Sequence, residues 1–379
     1  MRVRALVYAL LSFAVIQFGL PALVPPGLIY DHRLSYEYFR DNHADLDLAL
    51  RAIKSHIRRE GLEDYVILLG DSVTYSARTS PDQSIGAYLE AVAAEHGRPT
   101  HVFTLAEPSM QIGDTYAVIL KLRAYGISTR HVISNLLYGG FVARTPFPPA
   151  VFWLENDLRH LDREVYDRVR SHLEAARLDP LAKPPKTLEA RFDRYVSQNV
   201  YPVIAPLAYR DFIRSAAIRL VTGQDPKAEK IDPRPWTEKT HLKATLQLQE
   251  YQMAFSDRPF ILDETNLQVY FLERIIAASA ITTPGDEIVF FMSPVNQTLM
   301  AVNVAKPGYR ENLRRVDAWF GTKPVTYLNL ESAIPDRYFA DHLHLTPEGN
   351  QVLAEILWRA LETRDHTGGA QTSDAAGGP

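Results

Sequence analysis

A hydroxyl, an imidazole and a carboxylate stand in two short strings about 270 residues apart: Gly70-Asp71-Ser72, and Asp341-His342-Leu343-His344. Together they are the minimum equipment for acyl transfer through serine, with Ser72 as nucleophile, His344 as base and Asp341 to orient the imidazole. Residue types alone carry little weight. Gly-Asp-Ser is also an ordinary strand-exit turn, and Asp-x-x-His an ordinary capped loop. Position adds weight: Ser72 follows Tyr65–Leu69, a short apolar run closed by Gly70, the pattern of a strand buried on both faces. A serine at the carboxyl end of a parallel strand sits where open α/β sheets bind ligands. A helix N-terminus there would offer free N–H groups to a developing oxyanion. Asp341 and His344 follow the last predicted strand, so parallel topology returns them to the same sheet edge.

The elements that must hold these groups follow from hydrophobic periodicity. After the first strand the pattern predicts a helix over Ser84–His96, a strand at His101–Leu105, a helix at Gly113–Ala124 and a strand at Val132–Leu137. The last of these ends at Tyr138-Gly139-Gly140. This β-α-β-α-β alternation argues for a parallel sheet with helices on both faces. From Val142 to about Asp257 the chain is proline-punctuated and helix-prone, with helices expected at Glu164–Leu178, Leu188–Asn199, Leu207–Val221 and His241–Met253. We read this stretch as an insertion whose natural use is a lid or docking surface. Alternation resumes with a helix at Asn266–Ala280, a strand at Glu287–Met292, a helix at Tyr309–Phe320 and a strand at Val325–Leu330. A helix at Pro347–Thr363 closes the fold, and the Gly/Ala/Ser/Thr-rich end from His366 is expected to be a disordered tail.

Composition narrows the partners. The formal net charge of -4 leaves no basic field for gripping phosphates, so nucleic acid is not an expected partner. The absence of cysteine excludes disulfides, thiolate nucleophiles and cysteine-ligated zinc. Arg2 and Arg4 precede an apolar run from Ala5 to Val24, long enough to cross a bilayer core, and the basic flank should stay cytoplasmic. Pro21 to Pro26 make a poor cleavage site, which favours an uncleaved anchor over a removed signal peptide or a buried helix; either of the first two exports the rest of the chain. The expected organisation is an anchor over 1–27, an amphipathic connector helix within 28–59 (Tyr36 to Arg59), a catalytic domain over 60–141 and 258–363, the insertion over 142–257 and a tail over 364–379. His101 and His131 are isolated, so no metal site is expected from them, and Arg214 and Arg219 lie on an amphipathic helix read as packed on one face and solvated on the other, with a membrane-surface helix as the less favoured alternative.

The two end strings also resemble the SGNH/GDSL hydrolase superfamily. Val66-Ile67-Leu68-Leu69-Gly70-Asp71-Ser72 is similar to its first block, and Asp341-His342-Leu343-His344-Leu345-Thr346-Pro347-Glu348-Gly349 to its last. The resemblance covers roughly residues 60–141 and 258–363. It implies a three-layer, flavodoxin-like parallel sheet and a Ser72, His344, Asp341 mechanism without metal or organic cofactor. In the family a glycine after the second strand gives an oxyanion-hole N–H, and here Ser109 stands at that place. After the third strand the family supplies an asparagine side chain, and here Gly140 falls nearest. Asn135 lies several residues earlier, inside the strand, and is not assigned that role. The resemblance thus points to Ser72, Ser109 and Gly140 as oxyanion donors, with the backbone N–H of Gly139 an alternative to that of Gly140. Read from its place at the end of a neighbouring strand, Asn296 is a further candidate beside the ordinary reading of a loop-capping asparagine, and Asp71 and Asn296 are possible substrate-binding residues. The string Phe290 to Asn296 looks like that of membrane-anchored relatives that acylate cell-envelope glycans.

Two classes of function stay open from the sequence. The first is an exported, membrane-tethered serine esterase or O-acyltransferase acting on an acylated envelope glycan or lipid. The second is an SGNH-like binding or assembly protein of the envelope without turnover. A third arrangement has the chain working beside a multi-pass membrane acyl-donor protein.

Overall fold

Five apolar runs of the sequence become five parallel strands. The computed structural model describes residues 2–128, 131–142, 146–177, 187–189, 192, 196, 200, 203–279 and 287–372. In chain order its principal elements are α1 (Arg2–Leu23), α2 (Asp45–Glu60), β1 (Tyr65–Gly70), α3 (Ile85–Glu95), β2 (His101–Ala106), α4 (Ile112–Tyr125) and β3 (His131–Leu136). There follow α5 (Arg163–Arg177), α6 (Arg210–Thr222), α7 (Leu267–Ser279), β4 (Glu287–Met292), α8 (Pro307–Phe320), β5 (Thr326–Asn329) and α9 (Pro347–Thr372).

The chain divides into two compact units, Met1–Leu62 with Lys183–Lys230, and Glu63–Ala182 with Ile231–Pro379. The expected insertion therefore contributes to both. In the second unit the strands lie in the order β2-β1-β3-β4-β5, all parallel. This is the order of doubly wound sheets whose ligands bind where the winding reverses, between β1 and β3. Parallel neighbours need crossover connections, which the intervening helices supply. Because side chains alternate along each strand, Val66 and Leu68 of β1 face one way with Val102, Ile133, Val289 and Phe291. They share a buried core with Ile85 and Leu89 of α3 and with Leu353, Leu357 and Trp358 of α9. On the opposite face, Phe320 of α8 packs on Phe290 and stacks on Tyr327 at 4.2 Å. Both sheet faces are thus covered, and only the strand ends are left for chemistry.

The first unit carries α1, whose apolar stretch Arg4–Pro21 is long enough to span a membrane or serve as a signal anchor. The single connector helix expected from Tyr36 to Arg59 is two, Tyr36–Asp41 and α2. Asn42 breaks it: its backbone is extended and its side-chain amide bonds Asp45 Oδ1 at 2.8 Å, local bonding that competes with helix continuation. The helix expected at His241–Met253 is likewise two short pieces, Leu242–Thr245 and Gln249–Ala254. Thr245 Oγ1 donates back to the His241 carbonyl there, at 3.1 Å. At the C-terminus, α9 continues past Thr363 to Thr372, into the expected tail. Neither proline nor cap interrupts it, and extending a formed helix needs no new nucleus. Residues 373–379 and most of the helix expected at Leu188–Asn199 lie outside the described residues.

Candidate active site

Gly70 closes β1 at φ +137°, a backbone state that side-chain-bearing residues rarely adopt. A Cβ there would lie 1.7 Å from Asn135 Oδ1. That close approach has a purpose. Asn135, near the end of neighbouring β3, accepts the Asp71 N–H at 3.1 Å and donates to Asp71 Oδ1 and to Ser293 Oγ, both at 2.9 Å. Asp71 Oδ1 in turn accepts the Val73 N–H at 2.8 Å. Burial pushes the Asp71 carboxyl up, against the pull of Val73, Asn135 and the charge of His344. Through its N–H and Oδ1, Asp71 braces the serine turn from beneath, and it also lines the cavity beside that turn.

Ser72 does not start a helix, contrary to expectation. The chain from Asp71 to Thr79 makes successive turns, closed by Tyr75 N–H to Asp71 O at 2.9 Å and Ala77 N–H to Ser72 O at 3.1 Å. Ser76 sits at φ +61°, a left-handed state through which a right-handed helix cannot propagate. After a 3-10 turn at Pro81–Gln83, the first α-helix is α3, capped by Ser84 Oγ accepting the Ala87 N–H at 3.2 Å.

From the other end of the chain the loop before α9 brings His344 to this turn. Its Nε2 is 2.9 Å from Ser72 Oγ, and its Nδ1 is 2.8 and 3.0 Å from the two oxygens of Asp341. An ionised carboxylate can only accept, so Nδ1 carries the proton and Nε2 accepts from the serine hydroxyl. Asp341 also accepts the N–H groups of Leu343 and His344, at 3.0 and 2.9 Å, and Nε of Arg78 at 3.0 Å. Burial would push Asp341 up, but the charge and hydrogen bond of His344, with His342 and Arg78, more than offset it and hold the carboxyl well below the ordinary range. Lys239 fixes the loop from behind, donating to the carbonyls of Asp232 and Ala340 at 2.9 and 3.0 Å.

The two histidines of the motif have different surroundings. His342 is packed edge-on against Tyr251 and Phe255, with Nδ1 3.6 Å from Asp341 Oδ1, beyond a hydrogen bond. Burial lowers it to about 4, outweighing the attraction of Asp341. It stays neutral where His344 performs its contacts.

Of the three expected oxyanion donors, two keep a free N–H. Ser109 follows β2 at φ +69°, so a serine holds the left-handed conformation for which glycine is the usual choice. No hydrogen bond among the described residues occupies the N–H of Ser72 or Ser109. Gly140 differs: after β3 the chain forms a short helix, Tyr138–Phe141, and the Gly140 N–H donates to Leu137 O at 2.9 Å. The Ser109 loop is itself braced. Trp153 Nε1 donates to Pro108 O at 2.8 Å, and buried Asp114 accepts N–H groups from Gln111, Phe152, Trp153 and Leu154. Asn296 does not reach the site. It is fully buried, its Oδ1 accepting the Leu299 N–H at 2.8 Å and its own N–H bonding His342 O at 3.0 Å, which makes it a loop cap.

A cavity of about 470 Å³ opens beside the turn, lined by Gly70, Asp71, Ser109, Asn135, Ser293 and His342 among others. No lysine or arginine is among its described lining residues. Sequence reasoning missed Asn135, Arg78, Lys239 and Ser293 as parts of the site. Asn135 alone gave a signal, as an amide in an otherwise buried strand run.

Compared with known proteins, the chain matches no family model and no curated protein.

Proposed function

We propose that this chain is a membrane-tethered, serine-dependent acyl-ester enzyme of the SGNH/GDSL type, a hydrolase or O-acyltransferase acting on acylated envelope glycan or lipid. The observation that carries the reading is the row Ser72 Oγ, His344 and Asp341, joined at 2.9 and 2.8 Å across the end of a parallel sheet. Ser72 Oγ attacks the acyl carbonyl while His344 Nε2 takes its proton, and Asp341 stabilises the imidazolium that forms. The N–H groups of Ser72 and Ser109 receive the oxyanion. Collapse expels the alcohol, which leaves with the proton from His344. Water or a sugar hydroxyl then attacks the acyl-serine, its proton passing to His344, and Ser72 is restored. The described lining of the cavity carries the carboxyl groups of Asp71 and Glu250 and no lysine or arginine, which disfavours an anionic acyl or sugar group. In the transferase form, a multi-pass membrane protein is a suitable source of the acyl group.

The spent N–H of Gly140 bears on rate: losing one oxyanion donor costs about 2.7–4 kcal/mol, or about 10²–10³ in kcat. The same observation favours, as the second reading, an assembly protein without turnover. A fluorophosphonate probe and p-nitrophenyl acetate separate the two. The enzyme reading expects labelling and turnover by the folded wild-type chain and neither by Ser72→Ala. Folded wild-type protein that does neither leaves the assembly reading.

A further inference from the structure

Gln17 is a polar side chain near the C-terminal end of an apolar run, and both ends of its amide are satisfied from one place. Nε2 donates to Val203 O at 2.7 Å, and Oε1 accepts the N–H of Ala205 at 2.8 Å. Both partners belong to the same compact unit as α1. In a bilayer an unsatisfied amide is costly, so this pairing suits a Gln17 that lies in hydrocarbon. It also fixes a depth. Gln17 is four residues before Pro21, the end of the apolar stretch, or about 6 Å at the helical rise. Backbone held at that level lies as deep as the apolar face of an interfacial helix, which sinks about 5–10 Å.

The chain leaving this contact carries a matching surface. Val203 is 67% exposed, and α6 presents Ile213, Ala217, Leu220 and Val221 outward, at spacings of i, i+4, i+7 and i+8. Leu220 and Val221 are 88% and 84% exposed. The buried side of the same helix holds Phe212 and Ser215, so the apolar stripe is an additional face and not the core face displaced. Exposed Arg214 borders it and Arg210, paired with Asp211, stands at its N-terminal end, and a stem such as that of Arg214 can stay apolar while its charged end extends toward headgroups. A contiguous apolar stripe of this kind marks a binding surface.

We propose that Val203 and the outer face of α6 lie in the membrane leaflet at the C-terminal end of α1, giving the first unit a second, interfacial contact with lipid beside its anchor. The inference rests on α1 being retained as a membrane anchor. The chain has no cysteine, so single thiols report position without background. The full-length variants Leu220→Cys, Phe13→Cys and Arg58→Cys are labelled with NBD and reconstituted into phosphatidylcholine vesicles containing doxyl-labelled lipid. Phe13 is in the anchor, and Arg58 is an exposed polar site on α2. The expected result is a blue-shifted Leu220→Cys probe that loses fluorescence to doxyl lipid as Phe13→Cys does, while Arg58→Cys does not. Quenching at Phe13→Cys with Leu220→Cys behaving like Arg58→Cys, open to aqueous iodide, overturns the second contact and leaves the anchor standing. An unquenched Phe13→Cys removes both. Val221→Cys, on the same stripe, replaces Leu220→Cys should that variant fail to fold.

Discussion

Replacing His342 by glutamine tests whether the site's second histidine is a neutral wall. In the folded chain burial lowers His342 to about 4, whereas an unfolded histidine titrates near 6.5. Below pH 6.5 the unfolded chain therefore binds a proton that the folded chain refuses, so stability falls as pH falls, and the loss is complete once pH drops below the folded value. Worked through the linkage relation, the loss is about 1.4 kcal/mol at pH 5.5 and about 2.6 kcal/mol at pH 4.5, and close to nothing at pH 7.5. The groups facing His342 are Asp341, His344, Arg78, Tyr251 and Phe255, and all remain in the variant. Urea unfolding of the full chain in detergent, followed by tryptophan fluorescence at each pH, gives both stabilities. The gap between wild type and His342→Gln should shift with pH by those amounts, in favour of the variant on the acid side. Buried Asp114 titrates with the opposite sign, its carboxyl pushed up to about 6 by burial against four N–H donors, and it cancels in the difference. A difference that stays flat from pH 7.5 to 4.5 would mean that His342 is already protonated or solvated, and the reasoning fails.

Two further outcomes follow from the geometry. Asp341→Asn keeps the shape but removes the charge that holds the His344 tautomer, so ester turnover should fall by about 10⁴ while p-nitrophenyl acetate binding changes little. The wild type should in turn lose stability as pH falls below about 4 toward the depressed folded value of Asp341, and Asp341→Asn should lack that acid limb. Gly70→Ala places a methyl 1.7 Å from Asn135 Oδ1 at a strained φ, so it should destabilise the chain by roughly 1–3 kcal/mol or more in urea.

The strands were legible because each is a short apolar run, and β4 coincides with its predicted bounds, Glu287–Met292. Parallel alternation then foretold that Ser72, Asp341 and His344 meet at one sheet edge, because topology alone carries both strings to strand ends. What escaped was local geometry whose cause lies elsewhere in the chain. The turns after Ser72 replace a helix because Ser76 takes a left-handed φ, a conformation its residue type does not announce. Asn135 read as a misplaced amide because its partner, Asp71, is 64 residues earlier, and Arg78 gave no sign of reaching Asp341 across 263 residues. Asn296 misled in the other direction, since an asparagine after a strand caps a loop as readily as it meets a ligand.

The span of 272 residues between the hydroxyl and its imidazole also orders events during the protein's making. Ser72 emerges from the ribosome early, and for most of synthesis it is an ordinary alcohol, since the ring that would accept its proton has not been built. Joining groups so far apart in the chain carries a loop-closure cost that slows the contact. Whatever reactivity depends on that ring is consequently withheld from the nascent chain and begins only when the segment leading into α9 has arrived.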